Sequence, residues 1–387
     1  MSAPRILFLF NHDAAHQAAH IAGLAAAVAR RGVAEVIIAY GTPTIRAVVE
    51  GLLSPGDAAK MQWAPLDLTP VLDTALAPLN RVAPVRRLAR LVRHRALFAS
   101  VDIIVSPERT CLRVKRALGE RAPRFVFVPH GAGDRSVTYH PEMAQFDLML
   151  VSGQKVVDEM GAHGIMPPER CRIIGYPKFD TVDMTERPRF FDNGNPVFLY
   201  NPHFDPYLSS WYDMGHAVIA LFAAHPGLNL IVAPHVMLFR KKLHYSLEYR
   251  TMRRRPEIPA GLPANIRVDT ASERLFDMSY TRAADVYIGD VSSQVYEFLA
   301  HRGACFFLDP RGQARDVEAM PYQFWENGDV CGSIGALAAL LPDWRTRADR
   351  YRPVQDRLFA YTMDYDPARP AVERGADALL AYAADMR

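Results

Sequence analysis

The feature that most limits what this chain can become is a repeating alternation of short, wholly apolar runs with stretches of helical spacing. RILFLF (5–10) carries no polar residue after its arginine. NHDAAHQAAHIAGLAAAVARRG (11–32) reads as an alanine-rich helix closed by Gly32, and AEVIIAY (34–40) is apolar again. A strand without a polar face is buried on both sides, the condition of a parallel sheet covered by helices, and strand–helix–strand is the βαβ unit. The rhythm continues through VDIIVS (101–106), a basic helix near 111–120, RFVFVP (124–129), FDLMLVS (146–152), QKVVDEMGAHG (154–164) and CRIIGYP (171–177). A polar stretch with Pro and Gly, MTERPRFFDNGNP (184–196), interrupts it as a linker would. The alternation then restarts: VFLYNP (197–202), YDMGHAVIALFAAHPG (212–227), LNLIVAPH (228–235), NIRVD (265–269), ASERLFDMSYTRA (271–283) as a helix, ADVYIGD (284–290), SSQVYEFLAHRG (292–303) as a helix and ACFFLDP (304–310).

The expectation is an α/β chain of two Rossmann-like domains facing a cleft. Residues 1–185 form the acceptor domain, 195–355 the nucleotide-donor domain, and 356–387 a helical tail packing back on the first. Ligands of such sheets bind beyond the carboxyl ends of the strands.

Composition enters mainly to exclude. Half of the 387 residues are hydrophobic and 22% are charged, as in a folded globular protein. No run approaches the roughly 20 apolar residues of a membrane span. The N-terminus reads as a first strand rather than a signal peptide. Cys111, Cys171, Cys305 and Cys331 are scattered and form no CxxC pair, which fits reduced thiols and a cytoplasmic location. A net charge of +3 does not call for nucleic acid.

Candidate chemistry gathers where strands end. In FVFVPHGAGDRS (125–136) an apolar run stops at Pro129, and His130 is followed by Gly131 and Gly133. Glycine lets a ligand approach the backbone closely, and a near-neutral imidazole is suited to deprotonating a hydroxyl. A plain turn beside a hydrogen-bonded histidine is the alternative. VAPH (232–235) and YNPHFD (200–205) repeat the Pro-His pair with His235 and His203, so imidazoles from both halves are expected to line the cleft. In ADVYIGDVSSQVYEF (284–298) a strand ends at Asp290. Ser292 and Ser293 fall where a helix begins, an arrangement that binds phosphate, and Glu297 lies about a turn further on, placed for ribose hydroxyls. An ordinary helix cap is the competing reading.

His12, His16 and His20 are spaced four apart, on one face of an expected helix. A metal site lacks an acidic or Cys partner at ligand spacing, so acceptor contacts from His12 and Asp13 are preferred. Two basic stretches remain. RVAPVRRLARLVRHRALF (81–98) is a candidate for contact with an anionic membrane surface, and FRKKLHYSLEYRTMRRRPEIP (239–259) for a phosphate-rich ligand.

Taken in order, PHGAGDRS, FDLMLVSGQKVVDEM, RIIGYPKFD, YNPHFD, VAPH and DTASERLFDMSYTRAADVYIGDVSSQVYEF resemble the CDP-glycerol glycerophosphotransferase family, over about 125–310. These enzymes build teichoic-acid and related polyol-phosphate chains. The resemblance implies a GT-B fold and transfer of glycerol phosphate, or a related polyol phosphate, from a CDP-activated donor to a hydroxyl of a lipid-linked or polymeric acceptor at the inner face of the membrane. It implies His130 as general base, and His235, Ser292 and Ser293 as ligands of the donor phosphates. Gly175, Pro177 and Asp180 match the family's Gly-x-Pro-x-x-Asp turn. Gly131, Gly175, Pro177 and Asp290 are expected at the donor, and His203 and Arg135 toward the acceptor. The Glu297 assignment rests on similarity to GT-B proteins more generally. No cofactor is required, although Mg²⁺ carried by the pyrophosphate is compatible. Asp134 and Arg135 stand where similar enzymes have a Lys, and Ala233, Pro234, His235 and Val236 where they read Lys-Pro-His-Pro. Pro202, His203 and Phe204 stand where they tend to carry Pro-Thr-Trp. A nucleotide-sugar glycosyltransferase or a sugar-nucleotide epimerase of the same fold is the alternative.

Overall fold

A computed structural model describes residues 3–12, 15–81, 83–131, 139–312 and 323–386. These form two compact units. The first contains the described residues up to 131, with 139–183 and 360–386; the second contains 184–359. The chain returns to the first unit within the helix Trp344–Met363.

In the first unit, β1 (Arg5–Phe10), β2 (Glu35–Tyr40), β3 (Gln62–Pro65), β4 (Ile103–Ser106), β5 (Arg124–Phe127), β6 (Leu148–Val151) and β7 (Cys171–Ile173) make a parallel sheet in the order β3-β2-β1-β4-β5-β6-β7. Ile6 to Phe10 are all buried, as a strand covered on both faces requires. The helix Ala22–Arg31 presents small residues inward and stops at Gly32, whose φ of 68° closes it. The C-terminal helix Ala371–Asp385 packs against it at short range. A Cβ on Gly375 would stand 2.8 Å from Leu24 Cδ1 and 3.1 Å from Ile174 Cδ1, so a larger residue there would push the helices apart. Arg30 and Arg31 add ion pairs to Glu373 and Asp377 along the rim of this contact.

In the second unit, β8 (Val197–Asn201), β9 (Asn229–Val232), β12 (Ile266–Val268), β13 (Val286–Gly289), β14 (Ala304–Leu308) and β15 (Asp329–Cys331) pair in parallel in the order β12-β9-β8-β13-β14-β15. The helix Trp211–Ala223 covers one face, burying Trp211, Val218, Ile219 and Phe222 with Phe198 and Tyr200 of β8. A separate antiparallel hairpin joins β10 (Leu243–Ser246) to β11 (Thr251–Arg254). In each large sheet the strand order reverses direction once, at β1/β4 and at β8/β13, and such reversals open the crevice where ligands of this architecture settle.

Three expected helices differ. Residues 15–20 form a 3₁₀ helix rather than the start of the α-helix. At three residues per turn, positions four apart do not share a face, and the His16 side chain lies outside the described residues. The segment 271–283 is broken into Glu273–Leu275 and Ser279–Ala283 by Met278, whose φ is 67°. The helix after Ser293 spans only Gln294–Phe298. All four cysteines are buried and unpaired. Among the described residues, no helix is long and apolar enough to cross a membrane.

Candidate functional site

At the carboxyl edge of the first sheet, beside the β1/β4 reversal, β5 delivers His130. Its Nδ1 lies 2.8 Å from the carbonyl oxygen of Pro107, which follows β4. A carbonyl only accepts, so Nδ1 carries the hydrogen and Nε2 carries the lone pair of the neutral ring. The side chain is exposed to solvent, yet desolvation by the surrounding protein draws its pKa below the ordinary value, opposed by the Pro107 bond. An accessible imidazole, oriented and kept neutral, has the properties of a general base.

His12, two residues beyond β1, is buried, and its pKa is lowered to about 3 by desolvation first, then by Arg87 and by His130. Neither of its ring nitrogens has a hydrogen-bond partner among the described residues. His20 packs edge-on to Tyr176, with ring centroids 5.1 Å apart, and stands 6.5 Å from the His130 ring. Arg87, read from sequence as part of a surface-facing basic stretch, instead joins this edge. Its Nε donates to the Asn11 carbonyl at 2.8 Å, it pairs with Glu108, and Asn11 Nδ2 donates back to the Arg87 carbonyl at 3.0 Å. Arg86 is likewise held by Asp73, and Arg90 is buried, which leaves Arg93 and Arg95 as exposed cations of the helical part of that stretch. No signal in the local sequence separates Arg87 from its neighbours; only the fold does.

At the carboxyl edge of the second sheet, β8 and β9 bring His203 and His235 together, with ring centroids 5.4 Å apart and Phe204 against both. Here the ring nitrogens are set the other way. His235 Nδ1 accepts from the Met237 amide at 3.2 Å, and His203 Nδ1 accepts from the Asp205 amide at 3.0 Å. The neutral rings therefore carry their hydrogen on Nε2. His203 is buried, whereas His235 is partly exposed. Ser292 and Ser293 follow β13, with Ser292 Oγ accepting from the Gln294 amide at 3.3 Å. The helix they open is five residues long, so its dipole is small and the hydroxyls and amides must do most of any phosphate binding. Glu297 lies within that helix and is buried.

Three expected donor contacts have a different role. Asp290 is fully enclosed. Its carboxylate accepts from the amides of His203 (2.9 Å), Ser210 (2.6 Å) and Val291 (2.6 Å) and from the Ser210 hydroxyl (2.8 Å). Burial raises its pKa against those bonds. Asp290 thus fastens the His203 loop to the end of β13, and a donor has no open face of it to touch. Gly175, with φ of 87°, and the buried Pro177 shape the turn after β7. Asp180 Oδ2, at the end of that turn, accepts from the Val372 amide at 2.8 Å. The turn seats the start of the helix Ala371–Asp385, because the last carbonyls and first amides of elements need partners, and here Pro370 supplies no side-chain cap. Gly131 is described and partly exposed beside His130. Asp13 and Arg135 lie outside the described residues. Among the described residues, no three His, Cys, Asp or Glu side chains gather as a metal-ligand set.

No family model and no curated protein matches the chain. Solved structures do. The UDP-GlcNAc 2-epimerase of Neisseria meningitidis, bound to UDP-GlcNAc, is 10% identical with a TM-score of 0.58, covering 98% of this chain and 100% of that one. The wall teichoic acid polymerase TagF is 12% identical with a TM-score of 0.60, over 99% and 90% of the two chains. CalG4, the calicheamicin glycosyltransferase, is 14% identical with a TM-score of 0.54, over 99% and 98%. At these identities the likeness concerns the fold, which is the α/β architecture of two Rossmann-like units found in GT-B proteins.

Proposed function

We propose that the chain is an enzyme that transfers a polyol phosphate, glycerol phosphate in the first instance, from a CDP-activated donor to a hydroxyl of a lipid-linked or polymeric acceptor. The observation that carries this reading is the opposite setting of the two strand-end imidazoles. His130 holds its lone pair on Nε2, and His235 holds its hydrogen there. One is prepared to take a proton, the other to donate a hydrogen bond. Phosphoryl transfer between a hydroxyl and a pyrophosphate needs one of each. The ordered motifs shared with CDP-glycerol glycerophosphotransferases, and a fold shared with TagF, a wall teichoic acid polymerase by name, support the donor class.

In this scheme the acceptor O–H proton passes to His130 Nε2 as the oxygen attacks the phosphorus distal to cytidine. The bond from that phosphorus to the bridging oxygen breaks, and CMP leaves with its electron pair. His235 Nε2–H and the hydroxyls of Ser292 and Ser293 donate to the departing phosphate. His235 can act without being charged, because its tautomer already presents a hydrogen. Glu297 is assigned to the ribose hydroxyls. Mg²⁺, if carried by the donor, would share the pyrophosphate charge. His12 and the undescribed Asp13 and Arg135 are assigned to the acceptor side.

The test is kinetic. His130→Asn should leave CMP affinity unchanged and lower turnover about 10²- to 10⁴-fold, while label from the distal donor phosphate should appear in the acceptor product with the unaltered enzyme. Full activity in His130→Asn removes the base assignment. Label remaining with the nucleotide replaces phosphate transfer by sugar transfer from a nucleotide-sugar. That second reading is favoured by one observation, the end-to-end match in length with CalG4, the calicheamicin glycosyltransferase.

A further inference from the structure

The β10–β11 hairpin of the second unit has two unlike faces. Inward, Arg253 forms two bonds to the Asp213 carboxylate, both at 2.8 Å, and Arg255 is buried over the Phe239 ring. Trp211 Nε1 donates to the Pro256 carbonyl at 3.1 Å, which ties the hairpin base to the covering helix. The register sets Leu243 opposite Arg254 and Tyr245 opposite Met252, so these four side chains share the outer face. Leu243, Tyr245 and Met252 are all more than half exposed, and Leu247 at the tip is 86% exposed. Around them stand five exposed cations, Arg240, Lys241, Lys242, Arg250 and Arg254, against two exposed carboxylates, Glu248 and Glu257. Exposed aliphatic side chains are ordinarily scattered, so a clustered set on the outer face of a well-anchored hairpin is a surface built to be covered.

We propose that this hairpin docks on an anionic lipid surface, with Leu247, Leu243 and Met252 entering the headgroup boundary, Tyr245 at the interface and the Lys and Arg side chains on the lipid phosphates. Charge complementarity selects this occupant. Four apolar side chains fall short of the roughly 800 Å² per partner that a stable protein interface buries. A shallow apolar tip ringed by flexible cations is the combination that membrane interfaces hold. The proposal stands independently of the reaction assigned above and differs from the sequence expectation, which placed membrane contact at 81–98.

The experiment is co-sedimentation of the full chain with phosphatidylcholine vesicles made with and without phosphatidylglycerol, at low and high salt. The intact chain should bind only the anionic vesicles, and salt should release it. Lys241→Glu with Lys242→Glu, and separately Leu247→Asp, should each lower partitioning roughly tenfold or more, while melting temperature and nucleotide binding stay unchanged. Arg93→Glu with Arg95→Glu should bind as the intact chain does. Absence of binding to anionic vesicles, equal binding by the hairpin variants, or loss of binding in the 93/95 variant alone would each overturn the proposal. So would a dimer in solution that Leu247→Asp dissolves, since a second copy would then be the occupant.

Discussion

At the scale of the residue, the chemistry of each candidate edge depends on the tautomer of its histidine, and that is decided by one backbone group, on the neighbouring strand's end for His130 and two residues along the chain for His235. The Pro107 carbonyl makes His130 a lone-pair donor at Nε2, while the Met237 amide makes His235 a hydrogen donor there. Because desolvation by the surrounding protein lowers the His130 pKa, its basic form persists below the ordinary histidine range. The acid limb of the turnover–pH profile should therefore fall at a pH below about 6.5, and it should vanish in His130→Asn when residual activity is followed. His12 shifts the stability instead. Its pKa near 3 in the folded protein lies far below the unfolded value. Its contribution is complete above about pH 6.5 and is lost as pH falls toward 3, by up to ~1.4 kcal/mol per pH unit inside that window. Between pH 6 and 4, His12→Asn should lose stability to denaturant less steeply than the parent; an identical slope would contradict a buried, neutral His12.

At the scale of the element, turns and helix starts carry what local sequence conceals. The apolar runs announced the strands that place His130, His203 and His235, because a strand covered on both faces has to be apolar along its length. The turn containing Gly175, Pro177 and Asp180 was legible as a turn, but its partner lies almost 200 residues further on, at Val372, and no local pattern encodes such a contact. Asp290 misled for a related reason. An acid at a strand end looks like a ligand until the amides converging on it from two loops are visible. The hairpin was read only as charge, since its two four-residue strands are too short for alternation to stand out. For the turn, Asp180→Ala should lower the melting temperature by about 2–4 °C, the effect of losing roughly 1 kcal/mol of helix capping in a unit of this size. Asp180→Asn, which keeps an acceptor, should recover most of it. An unchanged melting temperature in Asp180→Ala would show that Val372 does not need this carboxylate.

At the scale of the molecule, two parallel sheets each reverse direction once, and each carries a pair of neighbouring histidine rings at its carboxyl edge, His20 with His130 and His203 with His235. That repetition within one chain, more than any single motif, makes a two-substrate transfer the economical reading. Proteins that share the fold handle different nucleotides, so the fold alone does not choose the donor, and the proposed donor class has to be read from which nucleotide the chain binds. The most direct test is calorimetric titration of the purified chain with CMP, CDP-glycerol, UDP and UDP-GlcNAc, with and without Mg²⁺. CMP and CDP-glycerol should bind and the uridine nucleotides should not. Selective binding of UDP and UDP-GlcNAc would contradict this and move the chain to nucleotide-sugar chemistry.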